Sequence, residues 1–329
     1  MANKIIGSRV NQILGSEYPL IIGTMLGWSN AGFVAAAANA GAFASIASSM
    51  YSTAQALREE IRRAKGLTGK PFGVNINLFP ALKPQNVSEY VDTAIEEGVG
   101  VIETAGRSPE ELVSRIKNGK AKLMHKCARL RDARKAESIG ADIVEIVGFE
   151  CGGHPSREGI GGLVLIPQVV DAVKIPVVAG GGIADARGFI AALALGAEGV
   201  LMGTRFLACR ECQVHPNLKS KLFDAASTES TLVLGTIGDP MRVLRTELVT
   251  KIQQLEEKGC TLEDLVPLIS GDKSRQAISV GDVDNSLLPC GQVVGLIHDI
   301  STMKEIIDSI IKGAIAVDER LGRILQRKS

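Results

Sequence analysis

Aromatic side chains are scarce in this sequence, with one Trp, three Tyr and eight Phe making up 4% of 329 residues. Such a chain offers few rings on which nucleobases could stack. It also lacks an excess of either charge. Its 37 Lys and Arg stand against 36 Asp and Glu, a net charge of +1, which gives no case for a nucleic-acid or polyanion partner. The six cysteines (127, 151, 209, 212, 260 and 290) show no framework spacing. Met1 to Gly15 carries Lys4 and Arg9 and no sustained apolar run, so no secretory signal is expected. Free thiols in a cytoplasmic protein are the simplest expectation. Long hydrophobic runs are missing too. The one extended uncharged stretch, Ala31 to Met50, is mostly Ala, Gly and Ser with Asn39 inside, too weakly apolar for a membrane span. It reads as a buried small-residue helix followed by a strand.

What the chain does have is a rhythm. Short apolar runs alternate with amphipathic stretches, as in parallel βα units. Eight strands are expected, at Pro19–Gly23, Ala42–Ala47, Phe72–Ile76, Val99–Glu103, Lys122–Lys126, Ile143–Val147, Pro176–Ala179 and Gly199–Met202. Helical patterns lie between them, for example Thr53–Ala64, Leu130–Ile139 and Ala186–Leu195. Eight such units fit a closed (β/α)₈ TIM barrel with helices outside, and an open doubly wound sheet is the alternative. Residues 1–207 and 291–329 would form the barrel, with Ser301 to Leu325 as a returning helix. Residues 208–290, richer in charge and helical in pattern, would form a smaller insert, a lid or second lobe.

Barrel active sites lie at the C-terminal ends of the strands, and phosphate sites favour the loops after strands seven and eight. The seventh strand runs into Ala179-Gly180-Gly181-Gly182-Ile183-Ala184-Asp185, and the eighth into Met202-Gly203-Thr204-Arg205-Phe206. Consecutive glycines let backbone N–H groups approach an anion, and a helix N-terminus is expected to follow at once. The pattern lacks the lysine and spacing of a nucleotide P-loop, and a flavin mononucleotide phosphate suits it better than a dinucleotide or ATP. Strand six leads into Phe149-Glu150-Cys151-Gly152-Gly153-His154-Pro155. The Gly152–Gly153 step would let the backbone pass close to a flat ligand. His154 is the candidate proton-transfer group, since imidazole titrates near neutral pH. Asn75 could hydrogen-bond a bound ring or merely satisfy backbone groups. Glu103, Thr104, His125 and Lys126 also stand at strand ends, Lys126 either beside the ligand or paired with Glu103. Met25, Leu26 and Trp28 could form an apolar wall. Cys209-Arg-Glu-Cys212 has no second pair and is a poor zinc site, so no metal is expected.

Together these segments resemble the nitronate monooxygenase family, formerly 2-nitropropane dioxygenases, which also holds FMN-dependent enoyl-acyl-carrier-protein reductases and NADH:quinone reductases. The resemblance rests on Lys70 to Asn75, Glu103 to Gly106, His125 to Cys127, Gly148 to Pro155, Gly180 to Gly182, Met202 to Phe206 and Gly291 to Asp299, and so spans nearly the whole chain. It implies FMN as cofactor and His154 as the base or proton donor near flavin N5. Gly180, Gly181, Gly182, Gly203 and Thr204 would hold the phosphate, and Met25, Asn75 and Lys126 would line the isoalloxazine ring. With the flanking residues, the candidate cofactor set is Gly23, Thr24, Met25, Asn75, Lys126, Gly152, Gly153, Ala179, Gly180, Gly181, Gly182, Met202, Gly203 and Thr204. The histidine segment is most like the NADH:quinone reductase branch. That branch usually has Gln-Gly-Gly-Met-Gln-Trp-Val at strand one, where this chain has Ile22-Gly-Thr-Met-Leu-Gly-Trp-Ser29. A Gly-Glu-Asp-Asp stretch after the histidine is replaced by Ser156-Arg157-Glu158-Gly159. The departures lie at the substrate entrance, and Val243 to Glu247 resembles members acting on acyl-CoA.

The first functional expectation is oxidation of a nitronate, or a similar small carbon acid, through FMN with oxygen as acceptor. The alternative uses NAD(P)H to reduce FMN and passes electrons to a quinone or an enoyl thioester. A flavin-binding barrel without turnover is a third class. The expected partners are a small-molecule substrate and NAD(P)H, with a homodimer left open.

Overall fold

The computed structural model describes residues 7–79, 86–269 and 271–326. Lys4 and the outermost residues assigned to the barrel, 1–6 and 327–329, lie outside them. Eight parallel strands close a barrel in chain order. They are β1 (Leu20–Ile22), β2 (Phe43–Ala47), β3 (Gly73–Asn77), β4 (Val101–Ala105), β5 (Lys122–Cys127), β6 (Ile143–Val147), β7 (Val177–Gly180) and β8 (Gly199–Met202). Closure is made by β1 against β8, with Leu20 opposite Val200 and Ile22 opposite Met202. The open-sheet alternative is therefore excluded. Several strands run further toward the mouth than their apolar runs suggest, because neighbours there still offer ladder partners. Asn77 pairs with Ala105, Ala105 with Lys126, and Val147 with Gly180.

The outer ring comprises α2 (Ala31–Asn39), α3 (Ala54–Leu67), α4 (Val87–Glu96), α5 (Glu110–Asn118), α6 (Leu130–Ser138), α7 (Gly162–Ala172) and α8 (Ala186–Ala194), with α1 (Arg9–Leu14) preceding β1. The small residues of α2 are buried against the sheet, as their size allows. A short α9 (Thr204–Leu207) follows β8. The last helix, α14 (Met303–Ile324), buries Met303, Ile306, Ile307, Ile310, Ile311 and Ala314 between α8 and α2. Its start is fixed by a capping box between Thr302 and Glu305, the reciprocal arrangement that satisfies two otherwise orphaned backbone donors.

The segment expected to be helical is not purely so. It contains α10 (Pro216–Asp224), α11 (Glu247–Glu257), α12 (Leu262–Ile269) and α13 (Gly271–Val280), but also an antiparallel pair, β9 (Ser230–Val233) and β10 (Met241–Leu244). These strands are only four residues long and seven residues apart, too short for their period to stand out from flanking helical patterns. They share a small core that includes Val233, Val243, Leu248, Ile252 and Leu265.

Inside the barrel, side chains from alternate strand positions meet in layers. The bottom layer is apolar: Ile21, Phe43, Val101, Met124, Ile143, Val178 and Leu201 cluster with Val10 and Leu14 of α1, which plug the floor. Two residues further along β4, β5 and β6, the same inward face presents Glu103, Lys126 and Glu145. Phe43 is fully buried in the floor layer. Phe43→Ala is expected to destabilise the protein by about 3–5 kcal/mol, measured by urea denaturation.

Candidate active site

Above the ionic layer the barrel opens into a cleft of about 1200 Å³. Gly23, Thr24, Met25, Asn75, Lys126, Gly152, Gly153, His154, Gly181, Gly182, Gly203 and Thr204 all line it. Four loops distant in sequence thus converge on one space. Ala179, Gly180 and Met202 do not line it: they are buried within their strands, Ala179 and Met202 against the packing around the barrel and Gly180 inward against Val147 and Leu201.

The loop after β7 is shaped by successive left-handed glycines, Gly181 at φ +81° and Gly182 at φ +73°. A Cβ on Gly181 would stand 2.9 Å from the Gly148 carbonyl oxygen, so both space and backbone angle demand glycine. A Cβ on Gly203 would meet no protein atom within 4 Å, so its backbone faces open cleft. Thr204 Oγ1 accepts a hydrogen bond from the Gly291 N–H at 2.9 Å, which leaves its own O–H to donate. These groups are the open backbone and the hydroxyl that an anion site here would use. The expected helix N-terminus is not directly beside it, however. Ile183 and Ala184 intervene, and Asp185 caps α8 by accepting from the N–H groups of Arg187 and Gly188 at 2.9 and 3.3 Å. A phosphate would therefore rest on the glycine loops rather than on this helix end.

His154 lies at the cleft surface with its side chain 34% exposed, its Nε2 3.7 Å from Asp239 Oδ2. Its ring stands 5.0 Å from that of Phe79, centroid to centroid, tilted by 33°. The imidazole thus has an apolar backing, a carboxylate beside it and access to solvent or ligand, suited to moving a proton.

The loop carrying His154 is held by Arg242 of β10, only 3% exposed. Gly153 and Arg242 exchange two backbone hydrogen bonds, at 3.0 and 2.6 Å. The Arg242 guanidinium donates to the carbonyls of Phe149 and Ser230, each at 3.2 Å, and lies 5.0 Å from the Phe149 ring centroid, near enough for a cation–π contact. Burial lowers the Arg242 pKa, opposed by the neighbouring Cys151 and Glu150, yet a guanidinium stays charged. Gly152 packs against the backbone of Cys290 and Gly291, where its Cβ would stand 2.8 Å from both. Arg205 binds the Asp299 carboxylate at 2.7 Å. These contacts explain physically why the Gly148–Pro155, Met202–Phe206 and Gly291–Asp299 segments belong together.

Lys126 reaches Glu103 at 2.6 Å and Glu145 at 3.6 Å, and Thr24 donates to Glu103 at 2.7 Å. Lys126 therefore both lines the cleft and makes the ion pair that was its alternative role. Burial pushes the Glu103 pKa up, but the Lys126 charge and the hydrogen bonds from Lys126 and Thr24 outweigh it and hold Glu103 low. Burial opposes the Lys126 charge, while Glu103 and Glu145 overcome that and raise its pKa. His125 faces outward instead. Its Nδ1 lies 2.8 Å from Thr104 Oγ1, and burial lowers its pKa to about 4, so it is neutral and structural. Cys209 and Cys212 are free and buried, with burial raising their thiols to about 11 and about 12. His215 accepts from the Asn217 N–H at the start of α10. Among the described residues, no group of three or more His, Cys, Asp or Glu side chains is arranged to hold a metal ion, and no helix is long and apolar enough to cross a membrane.

Sequence reasoning missed Phe79, Asp239 and Arg242. Gly238-Asp239-Pro240 is a turn signal, but nothing local to it indicates that the turn faces His154.

The family model described as nitronate monooxygenase matches residues 8–313. The chain belongs to the nitronate monooxygenase family. It is 33% identical to an octahydroindene-carboxyl-CoA dehydrogenase of Rhodococcus jostii strain RHA1, over 96% of this chain and 98% of that protein. The structure of FabK from Thermotoga maritima superposes with a TM-score of 0.88 at 35% identity, covering 96% of this chain and 98% of FabK. Nitroalkane oxidase from Streptomyces ansochromogenes superposes with a TM-score of 0.79 at 26% identity, covering 95% of this chain and all of the other. Like these relatives, this member of the nitronate monooxygenase family is an oxidoreductase.

Arg242→Met removes two buried donors and leaves the Phe149 and Ser230 carbonyls unpaired. It is expected to destabilise the protein by about 2–4 kcal/mol in urea denaturation and to speed limited proteolysis within 230–244.

Proposed function

We propose that this protein is an FMN-dependent oxidoreductase acting on an acyl thioester, with NAD(P)H as the electron source in the reductive direction. The observation that carries the reading is the cleft. At about 1200 Å³ it exceeds the usual range for one drug-sized ligand. Its rim holds Arg107 and Arg157, which make no ion pair among the described residues. Two unpaired guanidiniums at the mouth suit the phosphates of a carrier-bound substrate. The likeness to a carboxyl-CoA dehydrogenase over nearly the full length of both proteins supports the same substrate class.

FMN fits the residues present. The left-handed Gly181–Gly182 step, the bare Gly203 backbone and the Thr204 hydroxyl would hold its phosphate, while Met25, Asn75 and Lys126 would border its ring. When bound, FMN supplies two-electron transfer. Lys126 places a cation at the cleft floor, where negative charge is stabilised. His154 gives a proton to, or takes one from, the carbon next to the thioester carbonyl. Asp239 stands beside the imidazole Nε2, and the Phe79 ring packs against its face. Residues 208–290 form a lobe whose Asp239–Met241 turn completes the wall over His154.

Nitronate oxidation, with oxygen as acceptor, is the second reading. The family description and the likeness to nitroalkane oxidase favour it, and His154 would then take the α-carbon proton.

Anaerobic stopped-flow separates the two. The flavin is expected to bleach with NAD(P)H and to recover colour with an enoyl-CoA. Bleaching by propyl nitronate, with no recovery by the thioester, would replace the first reading with the second. A colourless protein that fails to take up FMN would remove both. His154→Ala should keep its flavin and lose about 10²–10⁴-fold in turnover. Replacing Arg107 and Arg157 together by Ala should raise KM for a CoA thioester about tenfold or more, while leaving KM for a short N-acetylcysteamine thioester unchanged.

A further inference from the structure

The ionic layer beneath the cleft has more acid than base. Glu103 and Glu145 are fully buried, and among the described residues Lys126 is the one cation in contact with both. The groups facing Glu145 are few. β5 contributes Lys126 as its register partner, and β7 contributes the apolar Val178. β4 contributes Glu103, and Ile143 and Val147 flank it on β6. Three charges there would leave a net −1 out of water, and each buried ion costs several kcal/mol unless compensated.

The two carboxylates are not equivalent. Glu103 receives a 2.6 Å hydrogen bond from Lys126 and a 2.7 Å hydrogen bond from Thr24. Both Glu145 oxygens are buried with no hydrogen-bond partner among the described residues, and Lys126 is 3.6 Å away. A carboxylate in that position has lost its water and gained no donor, so the neutral acid is the stable form.

We propose that Glu145 holds a proton at neutral pH and is a positioning residue for Lys126, keeping the cluster under the cleft electrically neutral until that proton leaves. In this state Glu103 alone balances Lys126, and the ammonium stays fixed at the cleft floor. Loss of the proton gives Lys126 two competing carboxylates and puts net negative charge directly below the ligand, which opposes any anionic form bound there. Burial is the main cause that raises the Glu145 pKa, Lys126 opposes it and the Glu103 charge adds to it, for a value of about 8. The ionisation therefore falls just above neutrality.

The sign for stability follows from the folded pKa lying above the ordinary value of 4.5. Between these two values the folded chain binds the extra proton, so stability falls as pH rises from about 4.5 to about 8. Glu145→Gln, which copies the neutral acid, should lack that fall.

The decisive measurement is infrared spectroscopy of the apoprotein. A protonated-carboxyl C=O band is expected near pH 7, absent in Glu145→Gln and fading in the wild type as pH rises through about 8. Should the Gln variant not fold, ¹³C-carboxyl glutamate labelling of the wild type reads the same band by its isotope shift. A wild type with no such band, or one that persists in Glu145→Gln, overturns the proposal. The second arm rests on the FMN reading: the midpoint potential of the bound flavin should show a pH break near 8 that Glu145→Gln abolishes and Glu145→Asp retains at a shifted pH. A break unchanged in the Gln variant also overturns it. Failure to bind FMN leaves the infrared result standing, and a missing band in a protein that does bind FMN removes only the role of Glu145.

Discussion

Closing eight parallel strands into a ring gives every inward-facing side chain the same narrow lumen, and each must be compatible with those across from it. At the bottom the solution is apolar, with Phe43, Met124 and Leu201 packed over a plug of Val10 and Leu14. One step higher the lumen holds Glu103, Lys126 and Glu145 instead. Charges so deep are tolerated only because they compensate one another. The cost is offset by the packed floor below, and what results is a polar base for the cleft. The layering thus converts a stability problem into a site with a fixed electrostatic floor.

A second constraint governs the catalytic face. The His154 loop is rich in glycine and would not hold its own shape, since glycine backbone is the most costly to order. Order comes from outside the barrel. Arg242 on β10 binds the backbone at Gly153 and the carbonyls of Phe149 and Ser230, while Gly291 and Gln292 bind the same loop from the returning chain. The segment carrying β9 and β10 therefore packs directly on the His154 loop: it holds that loop's backbone and brings Asp239 beside the imidazole. Substrate preference within the family would change most readily here, because the barrel layers below need not alter when the lobe and rim do.

Much of this was legible in the residues. The eight strands, their order, the face on which the glycine loops gather and the position of His154 all follow from local signals: apolar runs of strand length, glycine after helices, and polar residues at strand ends. The lobe was less legible. Its two short strands carry no period that stands apart from their helical surroundings, and Arg242 looks like any strand arginine until Phe149 is beside it. Lys126 shows the limit well. Its sequence position allowed a ligand-lining role or an ion pair with Glu103; the fold makes the ion pair and sets Lys126 in the cleft lining, because the ring of strands brings β4 and β5 together under the cleft.

The barrel, the face on which the glycine loops gather and the family were already set by the sequence, since these depend on patterns only a few residues long repeated along the chain. Tertiary structure alone decided three things: that Ala179, Gly180 and Met202 stay in the wall, that Asp185 caps α8, and that the Glu145 oxygens have no hydrogen-bond partner among the described residues. Each depends on which way a side chain points and on what lies opposite it across a closed ring. That is a long-range fact with no local signature.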